Sequence, residues 1–127
     1  MNRRGEISVT FMSGPLDGKT LTFEQPDAGD QKIITIGRRD TCDIHLGFDN
    51  QVSRLHARLG CVSNPITDSE SSLPALLSFW LEDSNSRNGS FIEKDPDPIT
   101  ERMNLRPGIL FRIGRTWLRL DVPLSFG

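Results

Sequence analysis

Ile109-Leu110-Phe111-Arg112-Ile113-Gly114-Arg115-Thr116-Trp117-Leu118-Arg119-Leu120-Asp121-Val122 holds two alternating runs on either side of a glycine. Ile109, Phe111 and Ile113 alternate with Leu110 and Arg112, and Leu118, Leu120 and Val122 alternate with Arg119 and Asp121. Side chains leave a strand on opposite faces in turn, so each run reads as a strand with one apolar face. Gly114-Arg115 then reads as the link of a hairpin.

Working outward, the same period recurs. Ile7, Val9 and Phe11 share a face, as do Leu21 and Phe23, Ile34 and Ile36, and Leu77, Phe79 and Leu81. Helical spacing is almost absent. Gly14-Pro15-Leu16-Asp17-Gly18 reads as a tight connection and Pro107-Gly108 as a turn. Short strands between Gly, Pro, Asp and Asn clusters predict an all-β sandwich or barrel. The acidic stretch 63–74 carries Thr67-x-x-Glu70, a capping-box match, and is expected to be a surface insertion that could start one helical turn. Glu93-Lys94-Asp95-Pro96-Asp97-Pro98 holds two prolines that cannot donate to a ladder, and reads as a loop.

At 127 residues the chain fits a single domain, 1–127, with a core of about 6–122. The formal net charge is −2 with 25% charged residues, which gives no overall attraction for nucleic acid. Any anion recognition must come from a local cluster. The opening residues alternate instead of forming a hydrophobic run, so neither a secretory signal nor a membrane span is expected. Cys42 and Cys61 form no disulfide framework, and a reducing cytoplasm is the expected location.

Three polar clusters punctuate the strands: Gly37-Arg38, Ser53-Arg54-Leu55-His56, and Asp83-Ser84-Asn85-Ser86-Arg87-Asn88-Gly89. Alone, a Gly-Arg pair is a turn glycine beside a solvated arginine, and Asn-Gly is a turn. In this order and spacing they closely resemble the forkhead-associated (FHA) domain family. Its pattern is Gly-Arg, then Ser-x-x-His, then Asp-x-x-Ser-x-Asn-Gly, with apolar positions matched by Ile44, Leu46, Val52 and Ala57. The resemblance covers about residues 6–122, and its specific part lies between Gly37 and Gly89.

The resemblance implies a two-sheet antiparallel β-sandwich of about eleven strands with ligand loops at one end. It implies a phosphothreonine-recognition module for phosphorylation-dependent protein interaction in Ser/Thr kinase signalling, with no catalysis, cofactor or metal. The expected partner is a phosphothreonine-containing protein or peptide, and the chain is expected to be a monomer or a module of a larger protein. Arg38, Ser53 and Arg54 would hold the phosphate, an ester with roughly −1.5 to −2 charges and three acceptor oxygens. Guanidinium and hydroxyl donors suit that group. Asn88, with Arg87 beside it, would hold the peptide backbone, while Gly37, His56, Asp83 and Gly89 would be structural. The glycines are expected to supply unusual backbone conformations. Ser90 departs from the family's frequent threonine, Ile92-Glu93-Lys94 from a Val-Asn-Gly turn, and Pro107-Gly108-Ile109 from an acidic-Gly-acidic turn.

Three rivals use the same residues. A hydrolase would join Ser53, His56 and Asp83, but no nucleophile elbow is present. A zinc site would need Cys42, His45, His56 and Cys61 together, against strand parity. A phosphate-independent interaction domain would keep the fold.

Overall fold

The computed structural model describes residues 5–64 and 76–122. Among them are ten strands and no helix: β1 (Glu6–Phe11), β2 (Thr20–Glu24), β3 (Gln31–Gly37), β4 (Ile44–His45), β5 (Ala57–Asn64), β6 (Leu76–Asp83), β7 (Ser90–Ile92), β8 (Met103–Leu105), β9 (Leu110–Ile113) and β10 (Thr116–Asp121). They form two five-stranded sheets, ordered β2-β1-β10-β9-β7 and β4-β3-β5-β6-β8. Most of the insertion expected at 63–74, with its capping box, lies outside the described residues.

Alternation dictates the layering. Ile7, Val9 and Phe11 of β1, Phe111 and Ile113 of β9, and Leu118 and Leu120 of β10 turn one face inward. Opposite them lie Ile34 and Ile36 of β3, Leu59 and Cys61 of β5, and Phe79 and Leu81 of β6, all within one buried cluster. At about 25 cal/mol per Å² of apolar area removed from water, this shared core is the main favourable term holding the sheets together. Gly60 faces outward, where Trp80 from the neighbouring strand lies across its backbone and the Arg102 guanidinium stacks on the indole at 3.8 Å. No helix of the described residues is long and apolar enough to cross a membrane.

The expected turns form. Thr116 pairs with Ile113 across Gly114-Arg115, and Gly114 has φ 61° while Arg115 does not turn positive, the pattern of a type II′ link. Before β9, Gly108 has φ 89° and the Ile109 N–H donates to Arg106 O at 3.2 Å, so Pro107-Gly108 closes a reverse turn. The sheets depart from a wholly antiparallel design at one place: β4 runs parallel to β3, pairing Ile36 with Ile44 and Gly37 with His45. That short parallel rung brings the chain from β3 back across the end of the sheet, beside the exit of β3 at Arg38.

Candidate anion-binding site

Beyond β3 and before β5 the chain leaves the ladder, yet its backbone bonds continue. Arg38 N–H donates to Ser53 O (3.0 Å), Arg39 N–H to Arg54 O (3.2 Å) and His56 N–H to Ile36 O (2.8 Å). Arg38 and Ser53 are therefore held side by side by an extension of the β3–β5 pairing. Gly37 is needed there for closeness: a Cβ at this position would collide with the Arg54 carbonyl and meet Cys42 Sγ at 2.9 Å. This revises the expected reason for Gly37, which shows no positive φ. Gly89, with φ 83°, does occupy the left-handed region that favours glycine.

The β6–β7 loop is wound on one carboxylate. Asp83 Oδ1 accepts the Ser86 and Ser90 hydroxyls at 2.6 Å each, Asp83 Oδ2 accepts Ser86 N–H at 2.9 Å, and Gly89 N–H donates to Ser86 Oγ at 2.9 Å. Serine at 90 supplies the same hydroxyl that a threonine would. Fully buried His56 joins this loop to the preceding one: Nδ1 accepts the Ser53 N–H (3.0 Å), and Nε2 faces Gly89 O (2.8 Å). Since a carbonyl only accepts, Nε2 carries the proton and the tautomer is set. Both ring nitrogens are thus occupied by main-chain groups, and the ring is closed to ligands.

These ties bring Arg38, Ser53, Arg54, Arg87 and Asn88 around one cleft of about 280 Å³, together with Asn50, Gln51 and Val52. Ser53 Oγ accepts the Arg87 N–H at 3.0 Å, which leaves the serine proton free to donate outward. Asn88 Nδ2 donates to Gln51 O at 2.8 Å, which fixes the amide with its oxygen and second N–H available. Among the described residues no carboxylate pairs with Arg38, Arg54 or Arg87, whereas Arg58 and Arg102 share Glu82 and Arg119 bonds Asp121. A solvent-exposed rim lined by three arginines without carboxylate partners can take an anion that has several acceptor oxygens. Larger clefts of about 540 Å³ elsewhere lack this chemistry. One is lined by Glu24, Asp27 and Asp30 beside Lys32, and the other is mainly apolar around Leu110 and Trp117.

The rival sites are not assembled. Ser53 Oγ accepts the Arg87 N–H and is not bonded to His56, whose ring nitrogens are taken by Ser53 N–H and Gly89 O, so Ser53, His56 and Asp83 do not form a triad. No group of three metal-ligating side chains forms among the described residues. Cys61 lies in the core, where burial pushes its thiol up to about 11 from 9.0, slightly offset by Lys32.

Asp49 was missed by sequence reasoning. Its buried carboxylate accepts Gln51 N–H (3.0 Å), Arg115 N–H (2.8 Å) and the Thr116 hydroxyl (2.7 Å), clamping the β4–β5 loop to the β9–β10 hairpin. The bond to Gln51, two residues on, is a local Asx turn that the sequence hints at. The bonds to residues 115 and 116 have no local signal.

The end loops of a β-sandwich thus gather three arginines, a serine and an anchored asparagine into one candidate anion site. The FHA domain model matches residues 34–114, well over half of the sequence. The chain belongs to the FHA domain family. No curated protein sequence matches it. Among solved structures, the FHA domain of the CT664 protein from Chlamydia trachomatis is 21% identical with a TM-score of 0.65, the match covering 96% of this chain and 99% of that one. The FHA domain of an Arabidopsis thaliana hypothetical protein is 20% identical with a TM-score of 0.67, over 98% and 92%. Mycobacterium tuberculosis EmbR, in complex with a low affinity phosphopeptide, is 19% identical with a TM-score of 0.65, over 97% of this chain and 26% of EmbR. At these identities the likeness carries the fold, an all-β sandwich.

Proposed function

We propose that this domain binds a phosphothreonine-containing segment of a partner protein and thereby couples that partner to Ser/Thr kinase signalling, without catalysing a reaction. Arg38, Ser53 and Arg54 hold the phosphate. Asn88, with Arg87 beside it, holds the peptide backbone in extended form. The observation that carries the reading is the convergence of these residues, from three separate connections, on one cleft that no carboxylate among the described residues lines. Family membership supports it. The free thiols of Cys42 and Cys61 suit a reducing cytoplasm, where such kinases act.

A hydrogen bond to a charged group contributes about 1.5–3 kcal/mol, so Arg38→Ala should weaken phosphopeptide binding about tenfold to a hundredfold. Calorimetric titration of paired phosphothreonine and unphosphorylated peptides, with wild type and Arg38→Ala, tests this. Equal affinity for the two peptides would instead establish a phosphate-independent interaction domain.

A further inference from the structure

The cleft holds more positive charge than one phosphate needs. Arg38, Arg54 and Arg87 line it, no carboxylate among the described residues lines it, and Asp43, Asp49 and Asp83 of the surrounding loops are hydrogen-bonded elsewhere. Asp43 bonds Thr35 through both its N–H (3.0 Å) and its hydroxyl (3.1 Å). Asp49 is spent on Gln51, Arg115 and Thr116, and Asp83 on Ser86 and Ser90. Asp40, exposed on the β3–β4 loop, forms no ion pair with any of the three arginines. Against a phosphate of roughly −1.5 to −2 charges, about one guanidinium stays uncompensated.

The three arginines also reach the cleft from separate connections. Arg38 and Arg54 flank Ser53 on the bonded extension of β3 and β5. Arg87 comes from the β6–β7 loop, where its backbone N–H is fixed on Ser53 Oγ and its neighbour Asn88 is fixed on Gln51 O. Arg87 itself is exposed, on a backbone fixed at its own N–H. We propose that Arg87 reads a second anionic group on the ligand, a carboxylate or another phosphate, within about three residues of the phosphothreonine. An extended peptide advances about 3.3 Å per residue, which sets that range for a side chain beside the backbone contact. The cleft itself, about 280 Å³, lies at the small end of ligand pockets and takes one anionic group rather than both. This assignment rests on the phosphopeptide reading of the same cleft and narrows the partner to multiply anionic segments.

The test uses nine-residue peptides with a central phosphothreonine and uncharged Ala, Gly and Ser flanks. A single Glu or a single phosphoserine is then placed at each of the three positions on either side. Affinities are measured at low salt for wild type, Arg87→Gln, Arg87→Lys and Arg38→Gln. Each is expressed as the ratio to the neutral-flank phosphopeptide on the same variant.

At one or two adjacent positions wild type should gain about twofold to fivefold from Glu, in line with an exposed ion pair. A larger gain from phosphoserine than from glutamate would name a second phosphate as the preferred source, and equal gains an acidic side chain. The ratio should fall to near one in Arg87→Gln, persist in part in Arg87→Lys, and survive in Arg38→Gln even though every phosphopeptide binds that variant more weakly. No gain at any position in wild type, or an unchanged ratio in Arg87→Gln, overturns the proposal. Failure of the parent reading looks different: the neutral-flank phosphopeptide would then bind wild type no better than its unphosphorylated twin.

Discussion

Gly37 shows how one missing methyl group shapes the rim. Because the Arg54 carbonyl occupies the space of a Cβ, Gly37→Ala must push the β4–β5 loop off the end of β3. Overpacking of this kind costs about 1–3 kcal/mol. Urea unfolding should show a loss of that size, and phosphopeptide titration a parallel loss, because Ser53 moves with the loop. Wild-type values in both assays would mean that the rim is more plastic than the close approach implies. Cys61 makes a separate prediction. Its thiol, fully buried, ionises at about 11 in the fold but near 9.0 when unfolded. Folding therefore resists ionisation, and the associated stability is complete below pH 9 and is lost as pH rises towards 11, on the order of 2 kcal/mol. Urea midpoints from pH 8 to 11 should fall less steeply in Cys61→Ala than in wild type; equal slopes would rule out this thiol as the source.

Among the elements, the loops at the site end are fixed by bonds that cross between connections. The β4–β5 loop is pinned by buried Leu46 and Val52, and by Asp49 between them. Asp49→Ala strands the Arg115 N–H and the buried Thr116 hydroxyl and frees the loop from the hairpin. The expected destabilisation is about 3 kcal/mol, read by chemical denaturation, with weaker phosphopeptide binding in the same variant. A loss under about 0.5 kcal/mol, the range of ordinary surface substitutions, would show that the clamp is dispensable. The longer strands were legible because β1, β9 and β10 alternate over enough residues to reveal their period. The two residues of β4 and the three each of β7 and β8 are too few to show one. Those strands form because neighbours offer unpaired edges: β8 lies on β6, pairing Phe79 with Leu105, and β7 lies on β9.

For the molecule as a whole, the net charge of −2 opposes anions, whereas the cleft is lined by three arginines and by no carboxylate among the described residues. Recognition of a phosphate should therefore be local, and weaken as salt rises from 50 to 500 mM across a Debye length of about 10 Å at 0.1 M. It should also weaken below about pH 6, where the ester takes up its second proton. Affinity indifferent to both would place recognition on some other group, such as the apolar face around Leu110 and Trp117.

Sequence alone determined the all-β class and the hairpin at Gly114-Arg115, because strand period and turn chemistry are local properties of neighbouring residues, while the residues that converge on the cleft were legible through the spacing of three motifs that resemble the FHA pattern. Only the tertiary structure decided that Gly37 serves a close approach, that Asp49 clamps two connections, that His56 is sealed between Ser53 and Gly89, and that Arg87 of the β6–β7 loop lines the same cleft as Arg38. Each of these depends on distances between residues remote in the chain, and such distances are set by how the two sheets pack.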